Sequence, residues 1–302
     1  MERRWYGRDT GLTVRMGLTL FLLAAVYLGF VVLLLWLGVD FIGVAVIAGA
    51  LLLVQYYASD RMVLWAARAR EVTPQEAPDL HAQVERVAAS ADLPKPRVAL
   101  IESRVPNAFA TGRSPRAAVV AVTTGLLERL EPPEVEAVLA HEVTHIKNRD
   151  VMVLTLASFF AMVAAFMLRW FAWGAIFGTR RASTGRREGA APFLLAYLGA
   201  LLVWVVAHLL ILALSRYREF AADRGGAILI GAPGLLASAL MKISGSIARI
   251  PDRDLREVRA ANAFFIVPAA RGADIAELLS THPSLERRLE RLRRLQAQME
   301  GR

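Results

Sequence analysis

The stretch Ala140–Asp150, AHEVTHIKNRD, sets two histidines four residues apart with a glutamate directly after the first. On a helix, residues four apart share a face, so His141 and His145 can offer two imidazole nitrogens to one ion. Glu142 falls about 100° further round. That offset keeps its carboxylate out of the coordination shell yet within reach of a water on the ion, where a general base belongs. The plain alternative is two unrelated histidines on a helix surface. A catalytic zinc needs three protein ligands and one open position, so a third donor must come from elsewhere. LSRYREFAADRGGA, Leu214–Ala227, offers Glu219 and Asp223, again four apart on an expected helix. Glu219 can complete the site, and Asp223 can accept a hydrogen bond from a ligand histidine and fix its tautomer. The same segment, with Arg216, Arg218 and Arg224, also suits an ordinary solvated helix face.

What must position these residues is in part a membrane. The 302-residue chain is 56% hydrophobic with a mean hydropathy of +0.42, too apolar for a soluble globule. It has no cysteine, which excludes disulfides, thiolate metal sites and cysteine nucleophiles and leaves His, Asp and Glu as metal donors. The net charge of +9 comes without a zinc finger, an aromatic single-strand platform or a long basic block, so no nucleic-acid partner is expected. Four uncharged apolar runs, Met16–Leu37, Phe41–Ala58, Val151–Leu168 and Ala191–Leu214, approach the roughly 20 residues a spanning helix requires. The first is too long, and too closely followed by the second, for a cleaved signal peptide, and reads as an uncleaved anchor. Twelve basic residues flank the runs on one side and five on the other, which predicts that both termini and the histidine motif face the cytoplasm. The five on the far side also allow a second hairpin that dips into the bilayer without crossing. Either way, the hairpin returns His145 and Glu219 to one membrane face.

The expected organisation is a mainly α integral membrane protein with a small β-sheet, four hydrophobic helices and a cytoplasmic zincin-like α+β catalytic domain. Its parts are a transmembrane hairpin (1–60), a catalytic part (61–150), a second transmembrane or re-entrant hairpin (151–214) and a helical part supplying the third ligand (215–302). Arg97–Ser103, Asn107–Gly112 and Ala117–Gly125 read as three short strands. Pro78–Asp92 reads as a helix with a packing face and His81 on its surface. Glu131–Asp150 reads as a helix that opens on proline and runs on into the third span. Residues 225–300 are expected to be helical, with Leu285, Leu289, Leu292, Leu295 and Met299 in one stripe, and 180–189 to be a flexible loop. His208, within the fourth run and without an acidic neighbour, is expected to pack rather than to act.

AVLAHEVTHIKNRD, SRYREFAADRGGA, PNAFATG and STHPSLERR, in that order along nearly the whole chain, resemble the HtpX family of bacterial membrane zinc endopeptidases, kin of the CAAX prenyl endopeptidases. The resemblance implies one zinc ion per chain on His141, His145 and Glu219, with Glu142 as the base and Asp223 behind a ligand histidine. It further implies that Asn107, Ala108 and Phe109 form an edge strand along which substrate backbone lies, a β-augmentation mode of capture. His282 and Arg288 fall where such enzymes hold the oxyanion, although a His-Pro helix entrance and a solvated arginine fit those residues as well. The implied function is quality control, as part of a stress response, in the bacterial inner membrane: hydrolysis of peptide bonds in misfolded or unfolded membrane proteins, with lipid bilayer and polypeptide as partners. A catalytically inactive membrane scaffold and a prenyl-peptide processing protease are the competing readings.

Overall fold

The computed structural model describes residues 9–36, 41–178, 190–249, 266 and 280–301. The chain divides into two compact units: Met1–Leu12, Tyr57–Met152 and Ser215–Arg302 in one, Thr13–Tyr56 and Val153–Leu214 in the other. The protein is mostly helical with one small mixed sheet.

The second unit consists of the apolar parts of four helices: α1 (Thr10–Trp36), α2 (Phe41–Ala66), α6 (Asp150–Gly178) and α7 (Ala190–Ile230). Small residues let them pack: Ala164 and Ala200 meet Phe30, and Ala157 and Ala207 meet Leu23 and Leu214. The outward faces are apolar too, with Phe21, Leu28 and Leu202 exposed, the reverse of a helix on a soluble protein. Among the described residues three helical stretches, Thr10–Leu33, Asp150–Arg169 and Leu194–Ile230, are long and apolar enough to cross a membrane. His208 stacks on Trp204 of its own helix, with ring centroids 5.7 Å apart. The loop expected at 180–189 lies outside the described residues.

The first unit is built on a four-stranded sheet in the order β1-β2-β4-β3. Its strands are β1 (Arg70–Glu71), β2 (Arg97–Ile101), β3 (Ala108–Thr111) and β4 (Val119–Thr123). β2 and β4 are parallel, β1 joins β2 antiparallel, and β3 joins β4 antiparallel at the opposite edge. The sequence gives three of these strands, and the two-residue β1 is too short to show an alternation. Side chains alternate across the sheet. Val98, Val120 and Val122 face the main core with α3 (Pro78–Ser90) and α5 (Pro132–Lys147), while Ala99, Ile101, Phe109 and Ala121 face the end of α2. His81 of α3 is buried rather than on the surface, because its Nε2 is bonded to the carbonyl of Val72 at 2.9 Å and ties the chain after β1 to α3. A short α4 (Thr124–Leu127) follows β4, with the Thr123 hydroxyl accepting from the Leu126 N–H.

Two features of α5 matter for the site. A capping box of Glu131 and Glu134 and a proline at its start fix the entrance. Its end is a break where the sequence suggests continuity: Asn148 caps α5, Arg149 takes a left-handed φ of 55°, and α6 starts anew at Asp150. Behind α5 lie α8 (Pro233–Ile247) and α9 (Leu285–Met299), whose Leu236, Leu240, Leu292 and Leu295 join the main core. Of the stretch 225–300 expected to be helical, 250–265 and 267–279 lie outside the described residues, and 280–284 are not helical, the last helix starting at Leu285.

Glu134 locks α5 to α8. It is 4% exposed, and its carboxylate accepts from Ser238 Oγ at 2.6 Å and Lys242 Nζ at 2.7 Å. Burial pushes its pKa up, but Lys242, Ser238 and the backbone of Glu131 outweigh it and hold the value below the ordinary 4.5. A depressed carboxylate contributes stability that is complete above its unfolded pKa and is lost as pH falls through its folded one. Glu134→Gln should therefore cost about 1–3 kcal/mol at pH 7. Thermal unfolding in detergent should show the difference from wild type shrinking as pH is lowered below 4.5.

Candidate metal centre and active site

His141 and His145 point Nε2 atoms at each other across 3.1 Å. Two nitrogens each about 2.0–2.1 Å from one tetrahedral ion would stand about 3.3 Å apart, so the separation suits a shared metal. Glu219, from α7, closes the triangle: Oε1 is 3.4 Å from His145 Nε2, and Oε2 is 3.7 Å from His141 Nε2. All the donor atoms lie within 4.8 Å of one another. Glu219 Oε2 is buried without a hydrogen-bond partner among the described residues. His282 Nδ1 at 3.2 Å and Arg288 Nη1 at 3.7 Å also stand near that oxygen, so the fit to a cation rests on the convergence of His141 Nε2, His145 Nε2 and the Glu219 carboxylate.

The approach of α7 to α5 makes this possible. Glycines 225 and 226 replace side chains at the crossing: a Cβ on Gly226 would stand 2.7 Å from the His141 backbone nitrogen, and one on Gly225 2.5 Å from Thr144 Cγ2. Glu219, Asp223 and Gly226 are spaced four and three residues apart, one stripe of α7 turned to α5.

Glu142 is buried beside the triangle, and its Oε2 accepts from the Ala110 N–H of edge strand β3 at 2.8 Å. Burial raises its pKa above the ordinary glutamate value. Asp223 Oδ1 stands 3.0 Å from His141 Nδ1. Arg288 of α9 donates to Asp223 through Nε at 2.8 Å and Nη2 at 2.6 Å, and through Nη1 to the carbonyl of Ile266. It is 1% exposed, unlike a solvated arginine. His282 is also buried, with Nδ1 3.2 Å from Glu219 Oε2, and neither ring nitrogen has a hydrogen-bond partner among the described residues. Asn107 precedes β3. Its Oδ1 accepts from the Ile266 N–H at 3.0 Å, while its backbone pairs with Thr123. Ala108 and Phe109 lie on β3 as expected, both buried. A small cleft opens beside His145, between the end of β3 (Ala110, Thr111) and the α5–α6 break (Arg149, Asp150).

Two residues that the sequence did not single out touch this arrangement. Asp150 Oδ2 accepts from His145 Nδ1, and Arg218 Nη2 stands 2.6 Å from Asp150 Oδ1. The signal was present only as a charged residue after NR.

A match to the sequence pattern described as Peptidase family M48 covers residues 74–296, enclosing both metal-ligand segments. The chain belongs to peptidase family M48. An M48 peptidase is a metalloprotease, and with its apolar helices this one is a membrane metalloprotease. It is 63% identical to the "Protease HtpX homolog" of Moorella thermoacetica over 301 residues, covering 99% of each chain. Against the "Protease HtpX homolog 2" of Methanosarcina acetivorans it is 52% identical over 300 residues, covering 99% of this chain and 100% of that one. In fold it resembles the crystal structure of S. mikatae Ste24p, with a TM-score of 0.57 at 17% identity, covering 94% of this chain and 67% of that one. Membership of M48 implies a metal, and the cluster of His141, His145 and Glu219 could bind one.

The glycine crossing gives this M48 peptidase a sharp test. A methyl group at Gly226 meets backbone, which cannot swing aside, so α7 must retreat and carry Glu219 with it. Gly226→Ala should lose most of the bound metal, measured by elemental analysis of purified protein, although alanine is the better helix former by about 1 kcal/mol. Gly245→Ala, at a helical glycine with nothing within 4 Å of the added carbon, should keep it.

Proposed function

We propose that the chain is a zinc endopeptidase of the bacterial inner membrane, acting in quality control on misfolded or unfolded membrane proteins from an active site on the cytoplasmic side. The observation that carries this reading is the triangle of His141, His145 and Glu219 donors with Glu142 fixed next to it by the edge strand. A complete set of donors and base also argues against an inactive scaffold. The HtpX names and the apolar helices support the membrane setting. In this reading α2 is a fourth membrane helix, 1–60 and 151–214 form the two hairpins, and 61–150 and 215–302 together form the catalytic body.

When bound, zinc supplies a Lewis acid that lowers the pKa of water to about 7 and polarises the scissile carbonyl. The protein's own groups do the rest. Glu142, with Oε2 held by the Ala110 N–H, keeps Oε1 to take the proton of the attacking water and pass it to the leaving amine. Its burial, which raises its proton affinity, suits that double duty. β3 is an edge strand of the sheet among the described residues, and in this reading an extended polypeptide adds to it as a strand near Asn107, Ala108 and Phe109. His282, with ring nitrogens uncommitted to hydrogen bonds, is the better oxyanion donor. Arg288 has its donors on Asp223 and Ile266 and serves to hold them.

Metal content and peptidase activity on an unfolded membrane substrate test this division of roles. Wild type should hold one zinc per chain. Glu219→Ala should lose it, whereas Glu142→Gln should keep it with activity down about 10²- to 10⁴-fold. A Glu142→Gln protein that is metal-free would overturn the separation of base from ligands. Topology is read separately, by single cysteines at Ser90 and Ser183 in a chain with none of its own. In intact cells a membrane-impermeant reagent should label the Ser183 site alone, and labelling at Ser90 would invert the orientation.

A further inference from the structure

Both ligand histidines turn Nε2 toward the donor triangle and Nδ1 away from it, and each Nδ1 meets a buried carboxylate. Behind His141 stand Asp223 and Arg288, a pair set by α7 and α9. Behind His145 stand Asp150, the first residue of α6, and Arg218 of α7, which are 6% and 3% exposed. We propose that Asp150, fixed by Arg218, is a positioning residue for the ligand His145, so that each histidine of the metal site carries its own carboxylate–arginine brace. The proposal rests on the metal-site reading above.

The chain geometry supports it. Had α5 continued as a helix, residue 150 would lie five positions, about 500°, beyond His145 and thus about 140° away round the axis, out of reach of its ring. The Asn148 cap and the left-handed Arg149 break the helix and bring Asp150 back onto Nδ1. A left-handed non-glycine residue costs energy, and such conformations persist where the surroundings hold them. Arg218 supports the same assignment. A buried guanidinium needs a counter-charge; Asp150 touches its Nη2, while Nε and Nη1 have no hydrogen-bond partner among the described residues. Chemically, a histidine that ligates through Nε2 must carry its proton on Nδ1. A carboxylate at Nδ1 fixes that tautomer, locks the ring plane and raises the basicity of Nε2. Asp150 thus acts on the metal through His145 and does not touch the reacting atoms.

The test uses the full chain in detergent and reads zinc affinity by competition with a chelator. Asp150→Asn should weaken zinc by about 10- to 100-fold. Because it leaves Arg218 without its counter-charge, the metal-free variant should unfold at a lower temperature than metal-free wild type, and zinc affinity is therefore read on folded protein well below that transition. Cobalt-loaded Asp150→Asn should show shifted visible bands, a signature of altered ligand geometry that a merely structural defect would not give. Arg218→Met should weaken zinc as well. Because Arg218 acts through Asp150, the double variant should lose no more than the worse single one. Should Asp150→Asn not fold, the double variant, which removes both buried charges together, still reads the loss. Wild-type zinc affinity in Asp150→Asn or in the double variant overturns the brace. His145→Ala separates the two ideas: metal lost in His145→Ala but kept in Asp150→Asn sinks the brace alone, whereas metal kept in His145→Ala sinks the metal site and the brace with it.

Discussion

The near-contact of two helix backbones, where Gly226 of α7 lies against His141 of α5, is the constraint on which the centre depends. Side chains as short as glutamate reach a common point with two histidines only if their helices approach more closely than the usual 8–10 Å between axes allows. Glycine provides that approach at the crossing and costs helix propensity in return. With the crossing fixed, Asp223 lies one turn back along the same stripe and Glu219 one turn further. One packing decision therefore delivers both Glu219, a donor of the cluster that could bind a metal, and Asp223, the carboxylate beside His141 Nδ1.

The second constraint is charge. His141, Glu142, Asp150, Arg218, Glu219, Asp223, His282 and Arg288 are all buried in one unit of the protein. Burying an isolated charge is strongly unfavourable, and replacing a buried ion pair by apolar groups is often neutral or stabilising. Stability therefore does not explain this cluster. Function does: a low-dielectric surround strengthens each electrostatic contact and holds donors in place before substrate or metal arrives. The arginines balance the acids locally, Arg288 on Asp223 and Arg218 on Asp150, while Glu219 Oε2, without a hydrogen bond among the described residues, has His282 Nδ1 at 3.2 Å and Arg288 Nη1 at 3.7 Å.

Much of this was legible in the sequence, for identifiable reasons. The histidine pair, Glu142, Glu219 and Asp223 sit on helices, where a spacing of four residues translates directly into one face. The edge position of β3 was harder, since strand order is a tertiary property, and only the family resemblance indicated it. The break at Arg149 left no trace because arginine is an ordinary helix former, whereas a glycine there would have announced a left-handed cap. Missing the break meant missing Asp150 beside His145. Arg218 and Arg288 were hidden for another reason: among many arginines, a buried one is distinguished by its partners, and those come from elements distant in sequence. His81 was likewise misplaced because its acceptor, the Val72 carbonyl, lies on a connection that carries no side-chain pattern.

In the proposed reading, the edge strand joins substrate capture to proton transfer. The Asn107 carbonyl accepts from the Thr123 N–H, and its own N–H donates to the Thr123 hydroxyl, so in an antiparallel ladder the next hydrogen-bonded residues are Phe109 and Thr111. The backbone groups of Ala108 and Ala110 then face away from β4. One of them is already in use, since the Ala110 N–H holds Glu142. A polypeptide added to that edge, as proposed, would run alongside the same backbone segment that aims the base. A shift of β3 relative to α5 would therefore move the peptide and the base together, and the distance between the scissile bond and the proton acceptor would be preserved by the strand itself. In the proposed reading, that coupling gives the small sheet its use, because a helix face has no free backbone groups with which to grip an extended substrate.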